Sequence, residues 1–456
     1  MNETQEVIVI GGGPAGRETA KRAVRHGAQV TLITQKAFSP NSLDSYAVRF
    51  LAARAPKIVS AFEAEGTDDQ AIRTAAVRET LNSAFQLAAR NYHAEIKELT
   101  NAGVQLLDGH GSIADVCLVR IKHTDGSVEH LDCDSIILAV GEQPLFRERP
   151  HCVLTSSDLR ELSAIPESLI VLGSSSAALE LAYFFAAHGA YVTVVGVRKP
   201  ALYFLDQELR NSVLEQSSIN SIQIITDVTA VAGTADNSVA DILLSDGSHL
   251  DAACVLLCGE GRYHTEGLGL EDVGVRIGVD GQIIVDGEMR TNIPSILAVG
   301  SITGWHELPV VMAQAKVAAQ NTTGGTASIN YCSIPISTAF DPELGSVGLS
   351  EETARQASFS TSVYTASQTT ASGKYRQAKV IADKQDGRVL GLHLVGDGAL
   401  EAVYIGALAI HSGATVEDLA GLQHPFQAMA ECIMAASRTL VRQVEEESRP
   451  LVFGPE

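Results

Sequence analysis

Val7-Ile8-Val9-Ile10-Gly11-Gly12-Gly13-Pro14-Ala15-Gly16 is an apolar run that stops on glycines. A helix-like segment, Arg17 to His26, and a second apolar run, Ala28 to Thr34, follow it. The order is strand, tight turn, helix, strand, with Gly11, Gly13 and Gly16 in the G-x-G-x-x-G spacing. Each glycine has its own reason. Gly11 permits the turn, Gly13 lets a pyrophosphate come up to the backbone, and Gly16 lets the helix lie close to the strand. Free N–H groups at the helix start then face the phosphates, where the helix dipole favours negative charge. A glycine turn in an ordinary βαβ unit is the plain alternative; the position after a strand and before a helix favours the dinucleotide reading.

The same design recurs 162 residues on, counting Gly11 to Gly173. Leu169-Ile170-Val171-Leu172-Gly173-Ser174-Ser175-Ser176-Ala177-Ala178 reads as strand and turn, Leu179 to His188 as helix, and Tyr191 to Val195 as strand. Between the copies, apolar residues recur at helical spacing from Arg73 to Leu99, and strands take over from Val104. Asp108-Gly109-His110-Gly111 and Asp125-Gly126 mark turns there, and the run closes on Ile136-Ile137-Leu138-Ala139-Val140-Gly141. Ile296-Leu297-Ala298-Val299-Gly300 later repeats Ile137 to Gly141 letter for letter. The pattern predicts an α/β chain with two Rossmann-like dinucleotide-binding modules, the second inserted in the first. From Ile334 onward, strands and a helix from Leu400 to His411 predict a third, α+β domain.

Composition narrows the function classes. The 456 residues suffice for about three domains, and 45% hydrophobic with 19% charged residues suits a soluble globular enzyme. Acidic residues outnumber basic ones by 54 to 33, for a net charge of −21, which argues against nucleic acid or an anionic membrane as partner. The polar start, Met1 to Glu6, lacks signal-peptide anatomy, and no apolar run approaches the roughly 20 residues of a membrane span. The seven cysteines are scattered, with no C-x-x-C and no metal-ligand spacing, as expected of free thiols in a reducing cytoplasm.

Taken together, the motifs resemble those of the two-dinucleotide flavoprotein reductases, the class I pyridine nucleotide-disulfide oxidoreductases. Dihydrolipoamide dehydrogenase, glutathione reductase, mercuric reductase and soluble transhydrogenase belong to that group. The resemblance runs the full length. It rests on Gly11 to Gly16, Ile137 to Gly141, Leu154 to Asp158, Val171 to Glu180, Gly261-Arg262, Arg290 to Pro294, Ile296 to Gly300, Val347 to Glu351, Gly391 to Gly396 and His424-Pro425. It implies an FAD-binding domain over 1–150 and 264–330, an NAD(P)H-binding-like domain over 151–263 and a dimerisation domain over 331–456. It also implies a homodimer in which each site borrows from the partner's C-terminal domain. Cofactor contacts carried over fall on Gly11, Gly13, Pro14, Ala15, Gly16, Thr34, Gly109, His110, Gly111, Ala139, Gly141, Gly300, Ser301 and Leu308 for FAD. For the nicotinamide nucleotide they fall on Gly173, Ser175, Ala178, Glu180, Arg198 and Lys199.

The departures lie in the chemistry. The Cys-x-x-x-x-Cys pair of such proteins matches Ser42 and Ala47, neither able to form a thiolate, and the lysine that follows matches Leu51. Disulfides are therefore unexpected substrates. The ribose-binding acid is replaced by Thr34, and the ribityl-binding aspartate by Ser301; backbone cradles remain to hold FAD. In the second module Ser175 is expected to push its hydroxyl at an incoming pyrophosphate. Gly196 replaces the acid that binds an NAD ribose, while Arg198 and Lys199 just beyond suit a 2′-phosphate and hence NADPH, or form a solvated basic turn. Glu180 stands without its usual lysine, and a helix-surface role is its alternative. His424 is the implied acid/base, with Glu431 as its orienting acid if the loop takes up an insertion. Trp305 and His306 run past the implied flavin, and Tyr46 and Asp44 lie where the dithiol would face it. The expected function is a cytoplasmic oxidoreductase passing hydride from NAD(P)H through FAD to a small non-disulfide acceptor. A non-catalytic homologue that binds a nucleotide or a partner protein is the alternative.

Overall fold

The computed structural model describes residues 4–35, 47–55, 70–143, 150–162, 164–216, 221–235, 239–259, 261–370, 373, 375–424 and 428–447. Ser42, Asp44 and Tyr46 lie outside them. Two compact units result, Met1–Ala201 with Ile225–Asn330, and Leu202–Ile224 with Tyr331–Glu456.

In the first unit, the strands at the centre of two parallel sheets are β1 (Glu6–Ile10), β2 (Gln29–Thr34), β3 (Gln105–Asp108), β4 (Ser135–Leu138), β5 (Val153–Thr155), β6 (Ser168–Leu172), β7 (Tyr191–Val195), β8 (Cys254–Leu257) and β9 (Ile296–Ala298). The first sheet runs β9-β4-β1-β2-β3, and the second places β6 between β7 and β8 with β5 beyond β8. Strands buried on both faces need apolar residues throughout rather than alternation, which is why Val7 to Ile10, Ile136 to Leu138 and Leu169 to Leu172 all lie within 3% of full burial. Each such side chain stabilises the fold by about 1.5–3 kcal/mol. The two identical pentapeptides are neighbours: Leu297 pairs with Ile137 and Ala298 with Leu138, one residue out of step.

Helices α1 (Pro14–Arg25), α2 (47–55), α3 (Gln70–Ala102), α4 (Ser176–Ala187) and α5 (Leu308–Asn321) cover these sheets. α1 starts three residues before the expected Arg17, because Pro14 takes the first helical position, where a missing N–H costs nothing. α4 starts at Ser176 rather than Leu179, capped by Ser175. Arg17 pairs with Glu95 at 2.9 Å and Arg25 with Glu98 at 2.8 Å, which ties α1 to α3.

The second unit is an antiparallel sheet of β10 (Ile336–Thr338), β11 (Leu344–Gly348), β12 (Thr361–Thr369), β13 (Tyr375–Asp383) and β14 (Val389–Gly396), in the order β10-β11-β14-β13-β12. Helices α6 (Ala399–Ser412) and α7 (Met429–Glu447) pack their apolar faces on it around Leu392, Leu394, Val403 and Ile433. The segment Leu202–Ile224 joins this unit through one buried cation. Lys379 on β13, 3% exposed at its side chain, reaches Asp206 at 2.8 Å, Glu351 at 2.9 Å and Glu208 at 3.0 Å. Burial alone would raise the Asp206 carboxyl, but the bonds from Lys379 and the Glu351 amide outweigh it and hold Asp206 below the usual range. His393 completes the arrangement: Nδ1 accepts from the Asp206 amide at 3.2 Å and lies 2.9 Å from Ser346 Oγ, while Nε2 faces the Leu349 carbonyl at 3.1 Å. Burial lowers its pKa and keeps the ring neutral.

Removing the cation leaves Asp206 buried and unpaired. Lys379→Met is expected to destabilise the second unit by about 3–5 kcal/mol, read as a drop in the urea midpoint; an unchanged midpoint would show the cluster to be dispensable.

Candidate functional site

Each sheet has a point where the strand order reverses. β1 lies between β2 and β4, and β6 between β7 and β8, so a crevice opens beyond the carboxyl ends of both pairs. Gly11 has φ of +117°, and a Cβ there would stand 2.3 Å from the Ala139 carbonyl oxygen. Gly173 repeats the approach with φ of +153° and 2.6 Å to the Cys258 carbonyl oxygen. A cavity of about 600 Å³ runs from one crevice to the other.

Fourteen of the cofactor contacts expected from the resemblance line this cavity: Gly11, Gly13, Pro14, Ala15, Thr34, Gly109, His110, Gly111, Ala139, Gly141, Gly300, Ser301 and Leu308 from the first module, and Ser175 from the second; His306 lines it too. Gly16, Gly173, Ala178, Glu180, Arg198 and Lys199 stand outside its wall. His264 and His110 face it together, and burial first, then the His110 charge, lowers the His264 pKa. Thr34 lies against the glycine turn, its Oγ1 2.6 Å from where a Gly12 Cβ would be. The Gly300 amide donates to Oε1 of Gln314 at 2.8 Å, so this fully buried side chain of α5 fixes the end of β9.

The two helix starts differ. No side chain caps α1. At α4, Ser175 Oγ accepts from the Ala178 amide at 3.3 Å, so its hydroxyl is turned back on its own helix as a cap. This corrects the expectation that it projects at a pyrophosphate, and the reason is the Ala178 amide within reach, which Ser175 meets with both its hydroxyl and its carbonyl oxygen. Glu307 also enters: its carboxylate takes the Ser176 amide at 3.0 Å and the Ser176 hydroxyl at 2.7 Å. Burial pushes the Glu307 carboxyl up, against the two bonds from Ser176 and the charges of Lys199 and Arg49.

Glu180 requires a second correction. It is neither at the surface nor without a cation: its side chain is 3% exposed and pairs with Arg49 Nε at 3.0 Å. Leu51, where the lysine was sought, is fully buried core. Arg49 lies two residues earlier on α2, which turns it to the other side of the helix. Arg198 is committed as well. Its guanidinium bonds Glu142 at 2.7 Å and the Gly261 carbonyl, and stacks over Tyr263 at 3.9 Å. Glu142 in turn accepts from the Gly261 amide at 3.2 Å and lies 3.5 Å from His306 Nδ1. Lys199 stands over the Trp305 ring at 4.5 Å, so the tryptophan is cation-stacked. The basic turn is therefore folded inward rather than solvated. In the second unit, Glu431 accepts from Gln368 Nε2 at 3.2 Å, and His424 precedes α7 by five residues.

Comparison with known proteins agrees with this architecture. Residues 5–322 match the model of the pyridine nucleotide-disulphide oxidoreductase family, and residues 334–437 match its dimerisation domain. A dihydrolipoyl dehydrogenase of Haloarcula marismortui is 28% identical, over 96% of this chain and 97% of its own length. A mercuric reductase of Acidithiobacillus ferrooxidans is 30% identical, over 98% of this chain and 85% of its own length. The crystal structure of LpdA from Mycobacterium tuberculosis shares the fold at a TM-score of 0.80 and 22% identity, covering 96% of this chain and all of that one. Members of this group are FAD-dependent oxidoreductases, and the dimerisation domain supports a homodimer. Two glycine-turn modules that meet in one cleft, followed by the antiparallel unit, are thus the local form of a shared design, and the chain belongs to the pyridine nucleotide-disulphide oxidoreductase family.

Proposed function

We propose that this chain is a flavoprotein oxidoreductase without a protein dithiol. It would pass hydride from a nicotinamide dinucleotide, NADPH by preference, through FAD to a small acceptor such as a quinone or oxygen. The observation that carries the reading is the open start of α1. A Cβ built on Gly13 meets nothing closer than 4.0 Å, whereas one on Gly16 would lie 1.8 Å from the Gly11 carbonyl oxygen. The glycines thus divide the work: Gly16 packs, and Gly13 leaves room at the cleft for a ligand to touch the backbone.

FAD fits these residues. The start of α1 and the Gly11–Gly13 turn would hold its diphosphate, Thr34 its adenosine ribose, and the Gly300–Ser301 strand end its ribityl chain. Bound FAD supplies the two-electron chemistry, and the protein supplies geometry and electrostatics. Arg49, between the cavity-lining Val48 and the buried Glu180, is a charge that no physiological pH removes. It favours negative charge developing at that wall. No cysteine precedes Cys117, so the stretch after β2 that matches the family's Cys-x-x-x-x-Cys pair offers no thiol. By the family resemblance, His424, with Glu431 as its orienting acid, would serve as proton donor to the acceptor bound by the other protomer.

The committed start of α4 and the Glu142-bound Arg198 favour a second reading, a non-catalytic homologue that binds a nucleotide or partner.

A visible spectrum separates the two. The enzyme is expected to carry bound flavin that NADPH bleaches without oxygen and a quinone restores, with no turnover of lipoamide or glutathione disulfide. Colourless protein that takes up no added FAD sinks the reading. Gly13→Ala is expected to melt like the wild type yet hold FAD about tenfold more weakly, a loss of about 1.4 kcal/mol; Gly16→Ala loses both stability and flavin. Should Arg198 leave Glu142 for a 2′-phosphate, Arg198→Ala raises KM for NADPH at least fivefold and spares NADH. Equal changes for both nucleotides would assign Arg198 to Glu142 alone.

A further inference from the structure

The second module holds an acid where its ligand's phosphate belongs. Ser176 corresponds to Pro14 by the 162-residue offset that relates the two glycine turns, so it is the first helical residue of α4. Helix starts of this kind bind dinucleotide phosphate through their free amides. Here Ser176 gives its N–H and its hydroxyl to the two oxygens of Glu307, and Ala178 gives its N–H to Ser175. Glu307 is 2% exposed and comes from the residue just before α5, 131 positions away in sequence. Among the described residues no cation is in ion-pair contact with it; Arg49 is engaged with Glu180 and Lys199 with Trp305, and both act on Glu307 only by their charge. What holds the carboxylate is the helix start itself.

We infer that Glu307 is a resident anion of the nicotinamide-nucleotide site, and that a dinucleotide must displace it from the start of α4 in order to bind. The inference rests on the proposed use of NAD(P)H. It makes Glu307 the residue that limits affinity for the nucleotide, because a phosphate at the same amides would lose the Ser176 donors and meet a like charge. In the first module no described residue plays this part. No side chain caps α1, and its start opens directly on the cavity. The two modules would therefore hold their ligands differently, the first tightly as a resident group and the second loosely as an exchanging one.

The test is isothermal titration of NADPH and of NADH into the flavin-loaded dimer, wild type against Glu307→Gln and Glu307→Ala. Glutamine keeps the shape and removes the charge; alanine also vacates the space. Flavin content and melting temperature verify that each variant is folded. Binding at least threefold tighter in Glu307→Gln, and tighter still in Glu307→Ala, is the expected result, including the case in which only the variants bind. Measurable binding of equal or lower affinity in both variants overturns the inference and leaves NAD(P)H use standing. No binding in any of the three proteins overturns the inference together with the nicotinamide half of the proposed function.

Discussion

The fold turns on how closely two pairs of strand ends approach each other. At Gly11 and Ala139, and again at Gly173 and Cys258, the backbone passes a neighbouring carbonyl at a distance that excludes any Cβ. A side chain at either glycine would spread β1 from β4, or β6 from β8, and close the crevice by shifting its walls. Backbone contact of this kind is indifferent to the side chains around it. Thr34, Ser301 and Gly196 can stand where the family's acids stand while the cleft keeps its shape. Chemistry and architecture are separable in this chain because different atoms carry them.

That separation explains what was legible in the sequence. Positive-φ glycines, buried parallel strands and the repeated pentapeptide are local signals, written within ten residues, and they placed both modules and the cleft. The fourteen cavity-lining cofactor contacts came from the family resemblance that these signals opened. Glu307, Gln314, Glu142 and Arg49 were illegible because each acts at long range. Ser176 and Glu307 are 131 residues apart, as are Arg49 and Glu180; Glu142 and Arg198 are 56 apart. No spacing rule links such pairs. Ser175 differs: the motif gave its position, but the direction of its hydroxyl was set by the Ala178 amide on its own helix.

Arg49 shows how a partner can move without its function being lost from the site. The resemblance puts its lysine at 51, where this chain has leucine, and so leaves Glu180 without a cation. On a helix, two residues is more than half a turn, about 200°, so the position that reaches Glu180 is not the one that faces the core at Leu51. Arginine differs from lysine in kind here. Its guanidinium stays charged and delivers a directional N–H to the carboxylate, so the pair is fixed in protonation and in orientation.

Three buried acids are paired with cations far away in sequence, and Glu307 is not. Glu180 has Arg49, Glu142 has Arg198, and Asp206 has Lys379, each joining segments distant in sequence. A buried ion pair adds little net stability, since desolvation offsets most of the Coulomb gain. What such pairs supply here is register: α2 against α4, the end of β4 against the turn after β7, and the Leu202–Ile224 segment against β13. Glu307 breaks the pattern: amide and hydroxyl donors bond it, and Lys199 and Arg49 act on it only from beyond ion-pair distance. Those donors neutralise it less completely than a guanidinium would, which is why burial raises its carboxyl where Lys379 holds Asp206 down. An acid kept in place by a helix start, without a cation to anchor it, is the one member of this set whose position a stronger anion can take.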